Sequence, residues 1–236
     1  MKFISSKNGI RNLSIYGVIV LFFGIIGFLF LSPTFERITP KIEMQEEVYW
    51  NLQKPIKVNI SDNYGILSYD VVFIDGDKQL KLETKVVNNT NNSVELEVLA
   101  PAFDETFKPR DGILKVQAFD NSKWNWFKGN EVVNKSKIII DKKSPIANVV
   151  SNSYLLRQGG SGVIVAEIND ENLKDYYISF NDEEVFEMFP FYKKNYYISI
   201  ITWPIDIKEF KKVNIVAVDK ANNKTITKVP FLYKTI

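Results

Sequence analysis

The sequence predicts a mainly β protein, with one N-terminal transmembrane helix followed by two tandem immunoglobulin-like β-sandwich domains. Three observations carry that reading. One uncharged apolar run, LSIYGVIVLFFGIIGFLFL from Leu13 to Leu31, stands near the N-terminus. Beyond it, short apolar or alternating runs rich in Ile, Val, Thr and Tyr are punctuated by Asn, Asp and Gly, the pattern of strands joined by turns. These runs recur at an offset of about 100 to 108 residues, the length of an immunoglobulin-like sandwich.

The apolar run has roughly 19 residues and, at about 1.5 Å per residue, reaches about 28 Å, close to the hydrocarbon thickness of a bilayer. It is longer than the apolar core of a cleaved signal peptide. Ser32-Pro33-Thr34-Phe35, which follows, has no small-residue cleavage pattern, so a retained anchor is favoured over a cleaved signal. Gly17, Gly24 and Gly27 do not make a GxxxG helix-pairing motif. Lys2, Lys7 and Arg11 precede the run, whereas Glu36, Arg37 and Lys41 follow it. The positive excess is therefore N-terminal, which predicts a cytoplasmic tail at 1–12, a span at 13–31 and everything after Pro33 outside the cytoplasm. For a bacterium this means the inner membrane and the periplasm.

A linker is expected at 32–39, a first domain at 40–142 and a second at 143–236. The segment Ile60 to Asp77 has its counterpart in Ile168 to Glu184, and Val116 to Asn125 in Val216 to Lys224. Pro40-Lys41-Ile42 and Pro145-Ile146 open the two copies. In the first, strands are expected at Ile56–Ile60, Tyr69–Ile74, Val94–Leu99, Gly112–Phe119 and Lys137–Ile140. In the second they are expected at Gly162–Ile168, Tyr176–Phe180, Tyr196–Thr202, Val213–Val218 and Ile226–Tyr233. Lys208 to Lys212 could form one helical turn. Asn-rich triplets such as Asn88-Asn89-Thr90 and Asn91-Asn92-Ser93 are turn composition rather than glycosylation signals.

No histidine and no cysteine occur in 236 residues. The usual general base, the usual transition-metal ligands and the thiolate nucleophile are thus missing together, and no catalytic, cofactor or metal site is expected. A formal charge of +2 with interspersed signs offers no concentrated basic face, so nucleic acid is not an expected partner.

Asp120 and Asp219 close an A-x-D pattern followed by Asn, and are expected to accept backbone N–H groups in a turn. Calcium is the competing reading for Asp62, Asp120, Asp170 and Asp219, although no EF-hand-type loop is present. Lys123, Trp124, Trp126, Phe127 and Lys128 fall between two strands, where exposed aromatics would bind a partner or a sugar ring. The bland alternative is that the two Trp rings pack back onto the sandwich. Gly159 and Gly160, within RQGGSG, precede a strand rather than a helix. They fit a structural turn, with backbone freedom at positive φ, better than a phosphate loop. The acid runs Glu46-Glu47, Asp104-Glu105 and Asp182-Glu183-Glu184 read as solvated faces rather than a glycosidase pair.

Three pieces of the second repeat then resemble a known family: RQGGSG at Arg157 to Gly162, the aromatic run closing on Trp203-Pro204, and the A-x-D-x-A-x-N turn at Ala217 to Asn223. Together with the anchor and the first repeat, they look like the region preceding the catalytic domain in membrane-anchored M23 (lysostaphin-type) peptidases of Gram-negative bacteria. Such peptidases cut peptidoglycan cross-links with zinc held by HxxxD and HxH motifs, neither of which occurs here. The resemblance implies a non-catalytic, envelope-facing portion of a cell-wall endopeptidase, truncated at Ile236 or encoded separately. Its expected partners are a peptidase domain or partner peptidase, and peptidoglycan. A free-standing periplasmic interaction or glycan-binding protein is the alternative expectation.

Overall fold

The computed structural model describes residues 7–87, 92–100 and 111–235, with side chains from residue 14 onward. Asn88-Asn89-Thr90, Asn91 and Asp104-Glu105 lie outside the described residues. Helix α1 runs Lys7–Leu31, and its stretch Ser14–Leu31 has a mean hydropathy of 2.5 and no buried residue. It is long and apolar enough to cross a membrane. A single 3₁₀ turn, Pro33–Phe35, ends the helical region, with Ser32 as its N-cap.

Apart from one short irregular helix in a loop, the described residues beyond are strand and turn. In chain order come β1 (Lys41–Glu43), β2 (Glu47–Trp50), β3 (Ile56–Ser61), β4 (Ile66–Asp75), β5 (Lys78–Val86), β6 (Ser93–Val98), β7 (Asp111–Asp120) and β8 (Glu131–Ile140). They form a three-stranded sheet β1-β3-β6 and a five-stranded sheet β2-β8-β7-β4-β5. The pairs β1–β3, β3–β6, β4–β5 and β4–β7 are antiparallel, with Ile60 opposite Ile42 and Val71 opposite Val116. Alternation decides which face is inside. Val58 and Ile60 of β3, Val71 and Phe73 of β4, and Leu114, Val116 and Ala118 of β7 are buried. Two sheets that each bury one face make a sandwich.

The second set is β9 (Ile146–Asn152), β10 (Leu155–Arg157), β11 (Ser161–Asn169), β12 (Leu173–Phe180), β13 (Glu184–Glu187), β14 (Phe189–Pro190), β15 (Tyr196–Thr202), β16 (Val213–Asp219), β17 (Lys224–Lys228) and β18 (Leu232–Lys234). Sheets β14-β15-β11-β9 and β13-β12-β16-β17 enclose a core of Ile164, Ala166, Ile168, Ile178, Phe180, Trp203, Val213 and Ile215. A short parallel pair, β10 with β18, adds Leu156 to that core. Trp203 is fully buried and donates its indole N–H to Ile207 O at 2.7 Å, so its one polar atom is satisfied.

By compactness, the described residues of Met1–Glu46, Pro55–Thr106 and Gly112–Lys137 form one unit, and those of Glu47–Lys54, Phe107–Asp111 and Ile138–Ile236 the other. Two local expectations need correction. Lys208 to Lys212 forms no helical turn. There Lys211 and Lys212 give their backbone N–H groups to Asn181 Oδ1, which replaces helical hydrogen bonding. The run Ile226–Tyr233 is not one strand but β17 and β18 with a break over 229–231, where Pro230 lacks the N–H a ladder needs.

Candidate functional site

Both units are closed by the same polar clasp. In the first, Asp120 at the end of β7 is fully buried, and its Oδ1 accepts the backbone N–H of Ser122 at 3.0 Å and of Asn130 at 2.8 Å. Its Oδ2 accepts the Asn130 side-chain amide at 2.7 Å, and that amide also reaches Glu36 O at 3.1 Å and Ile38 O at 3.4 Å. In the second, Asp219 ends β16, also fully buried. Asn223 gives its backbone N–H to Asp219 Oδ1 and its amide to Asp219 Oδ2, both at 2.7 Å. The same amide reaches Asp141 O at 2.9 Å and Lys143 O at 3.2 Å. One Asn therefore pins the segment leading into each sandwich to the turn after its penultimate long strand.

Beside each clasp sits a further acid turn. Asp62 Oδ1 accepts the N–H of Tyr64 at 2.7 Å, and Asp170 Oδ1 that of Asn172 at 2.6 Å. In the first unit, Glu36, Asp62 and Asp120 each bring a carboxylate oxygen within 4.8 Å of the others. Burial pushes the Glu36 and Asp62 carboxyls above the usual range, and the neighbouring Asp120 charge pushes them the same way.

The copies differ in what lies between the two clasp residues. Asp219 and Asn223 are separated by Lys220, Ala221 and Asn222, whereas Asp120 and Asn130 are separated by Asn121 to Gly129, which includes the aromatic segment. The aromatic loop is thus an insertion inside a turn that closes without it. Its short helix α2 (Trp124–Phe127) is irregular, with Asn125, Trp126 and Phe127 at φ of 50, 58 and 67°. Trp126 is 90% exposed and Phe127 70%. Lys123 and Lys128 are exposed as well, while Trp124 is half-buried.

That loop meets the segment that follows α1. The Lys123 N–H donates to Thr34 O at 2.7 Å, and the Ser122 hydroxyl to Glu36 O at 2.7 Å. Phe35 stands between Phe28 and Phe127 in edge-to-face contacts at 6.1 and 6.3 Å. The Arg37 guanidinium lies 4.0 Å over Trp124 and 4.2 Å over Phe30. These are ordinary aromatic and cation–π distances. Exposed Trp126 and Phe127 therefore stand beside the exposed, apolar end of the helix, where Leu31 is 85% exposed.

Gly159 takes φ 76° and donates its N–H to Trp203 O at 2.8 Å, whereas Gly160 needs no positive φ and accepts from the Trp203 N–H at 3.0 Å. RQGGSG thus holds the Trp203 loop. Sequence reasoning missed Glu36, Arg37, Gly129 and Asn130. Only Asn130 had a readable signal, its likeness to Asn223, and the unequal spacing from the preceding Asp hid it.

No family and no curated protein matches the chain. Among solved structures, fibronectin(III)-like modules of Clostridium thermocellum CbhA align at 14% identity, over 84% of this chain and 95% of that one, with a TM-score of 0.46. A chimeric titin Z1Z2 carrying a KLER peptide from decorin aligns at 12% identity over 84% and 99%, with a TM-score of 0.33. The sandwich assignment stands on the sheets and cores themselves.

Proposed function

We propose that α1 is a retained membrane span and that the two sandwiches form a non-catalytic envelope module. In this reading the module positions a peptidase domain or partner peptidase that remodels peptidoglycan. The observation that supports it most is the bridge that Phe35 and Arg37 make between the rings of the helix end and those of the aromatic loop. Cleavage after the apolar run would remove Phe28 and Phe30, the rings that face Phe35 and Arg37. In a bilayer the helix end lies at the headgroup level, where Trp rings are at home and Lys and Arg stems reach phosphates. Trp126 and Phe127 then serve as a collar that sets the first sandwich against the membrane surface.

The peptidase link rests on the resemblance of RQGGSG, Trp203-Pro204 and the Ala217 to Asn223 turn to the region preceding an M23 catalytic domain. With no histidine, this chain's residues do not fit the zinc of that family, and no step of peptide cleavage is assigned to them. The alternative, a free-standing glycan-binding protein, uses the same exposed Trp126 as a stacking face, but gives no role to the bridge through Phe35 and Arg37.

Fractionation with protease treatment of spheroplasts tests the anchor. The chain is expected in the membrane fraction with its N-terminal segment intact, digestible from outside and released by detergent alone. A mature chain beginning after Leu31 would overturn this. For the peptidase link, deletion of the chain is expected to raise or lower peptidoglycan cross-linking. Unchanged cross-linking would reject it.

A further inference from the structure

The three acids of the first clasp carry more negative charge than the protein neutralises. Among the described residues, no Lys or Arg forms an ion pair with Glu36, Asp62 or Asp120. Arg37, the nearest cation in sequence, spends its guanidinium on the rings of Phe30 and Trp124. The Asn130 amide has two hydrogens and faces Asp120 Oδ2, Glu36 Oε1, Glu36 O and Ile38 O, so it cannot satisfy all four. Asp62, only 9% exposed, uses Oδ1 for its own turn, and its Oδ2 is buried without any hydrogen-bond partner. A buried carboxylate oxygen left that way is costly, and such groups call for a ligand.

The second unit shows what a satisfied version looks like. Two residues after Asp170, where the first unit has Tyr64 after Asp62, stands Asn172, whose amide donates to Asp141 Oδ2 at 3.1 Å. Neither Asp141 nor Asp170 keeps a buried orphan oxygen. In the first unit Glu36, in the place of Asp141, accepts the Ile38 N–H and the Asn130 amide, but Asp62, in the place of Asp170, keeps its Oδ2 enclosed without a donor.

We propose that Glu36, Asp62 and Asp120 form a calcium site in the first unit. The donors are all hard oxygens, which excludes a preference for soft metals. Coordination habit separates the hard cations: Ca²⁺ takes protein oxygens in flexible geometry, whereas Mg²⁺ demands near-ideal octahedral geometry and usually keeps several waters. One carboxylate oxygen from each acid lies within 4.8 Å of the other two, close enough for a single cation to bridge all three. Because Glu36 is in the segment that follows α1 and Asp120 opens the aromatic loop, the bound ion stiffens the connection between the helix and the first sandwich.

The test uses the full chain in detergent micelles, with melting followed in EDTA, in millimolar calcium chloride and in the same concentration of magnesium chloride. Calcium is expected to raise the melting temperature by several degrees, and magnesium by less than half as much. Asp170→Asn is expected to keep the full calcium shift. Asp62→Asn is expected to lose it while melting in EDTA no lower than the parent, since it removes charge repulsion. Equilibrium dialysis with radiolabelled calcium on the unaltered chain gives an answer that does not depend on any variant folding, with one ion per chain expected. No bound calcium, no shift, an equal shift in Asp62→Asn, or an equal shift with magnesium would overturn the proposal.

Discussion

At the scale of single residues, Gly129 shows how tightly the clasp is drawn. It sits at φ 82°, and a Cβ there would lie 2.5 Å from Asp120 O and 2.7 Å from Asp120 Oδ1. Both the backbone conformation and the space demand glycine. Gly129→Ala is therefore expected to cost about 1 to 3 kcal/mol, the range for strain at such positions, read by urea unfolding. Unchanged stability would mean that Asp120 has room to move. Asp170 supplies a pH test. Its carboxyl is raised above the usual value, first by desolvation and then by the charges of Asp219 and Asp141. A raised folded pKa favours folding below the unfolded value and loses that contribution as pH rises through the folded one. Asp170→Asn keeps the Oδ1 acceptor for Asn172, so it is expected to stabilise the protein at pH 7 and to lose that advantage in acid. Equal shifts at both pH values would contradict this.

Among elements, the long strands were legible because alternation is a local signal. Val58 and Ile60, or Ile164, Ala166 and Ile168, announce an inward face within a few residues. β5 was not, since KQLKLETKV pairs only with β4 at a sheet edge and leaves most of its side chains in water. β1 and β2 are too short to show a period. The aromatic segment was legible as a loop but not in its setting, because Phe35 and Phe127 are far apart in sequence and meet only once the sandwich forms. That setting separates the two Trp rings. Trp126→Ala is expected to leave the melting temperature nearly unchanged, since a 90% exposed ring has little packing to lose. In lipid vesicles the same change is expected to remove the fluorescence component quenched by brominated acyl chains. Quenching that persists would place the collar away from lipid. Trp124→Ala, stripping a half-buried ring from under Arg37, is expected to lower stability as well.

Over the whole molecule, the repeat was readable as a period of about one sandwich, but the clasp that gives the period its purpose was only half readable. Asp120 and Asp219 stood out by their shared A-x-D setting, whereas the carbonyls that complete the clasps, Glu36 O and Asp141 O, lie 94 and 82 positions from the Asn amides that donate to them. A hydrogen bond across that separation leaves no pattern in the chain. Asn130→Ala and Asn223→Ala should each cost about 1 to 3 kcal/mol, because a buried carboxylate oxygen and two carbonyls lose their donor together. Calorimetry of the two variants checks this, and a cost confined to one of them would mean that the clasps are not equivalent.

The unequal spacing within those clasps has an evolutionary and an engineering meaning. Since Asp219 and Asn223 close with three residues between them and Asp120 and Asn130 with nine, the gap is a socket that accepts cargo of different lengths. Transplanting Lys-Ala-Asn in place of Asn121 to Gly129 should leave a folded first sandwich stripped of its collar. New loops installed there would give the scaffold new attachments without redesigning its core.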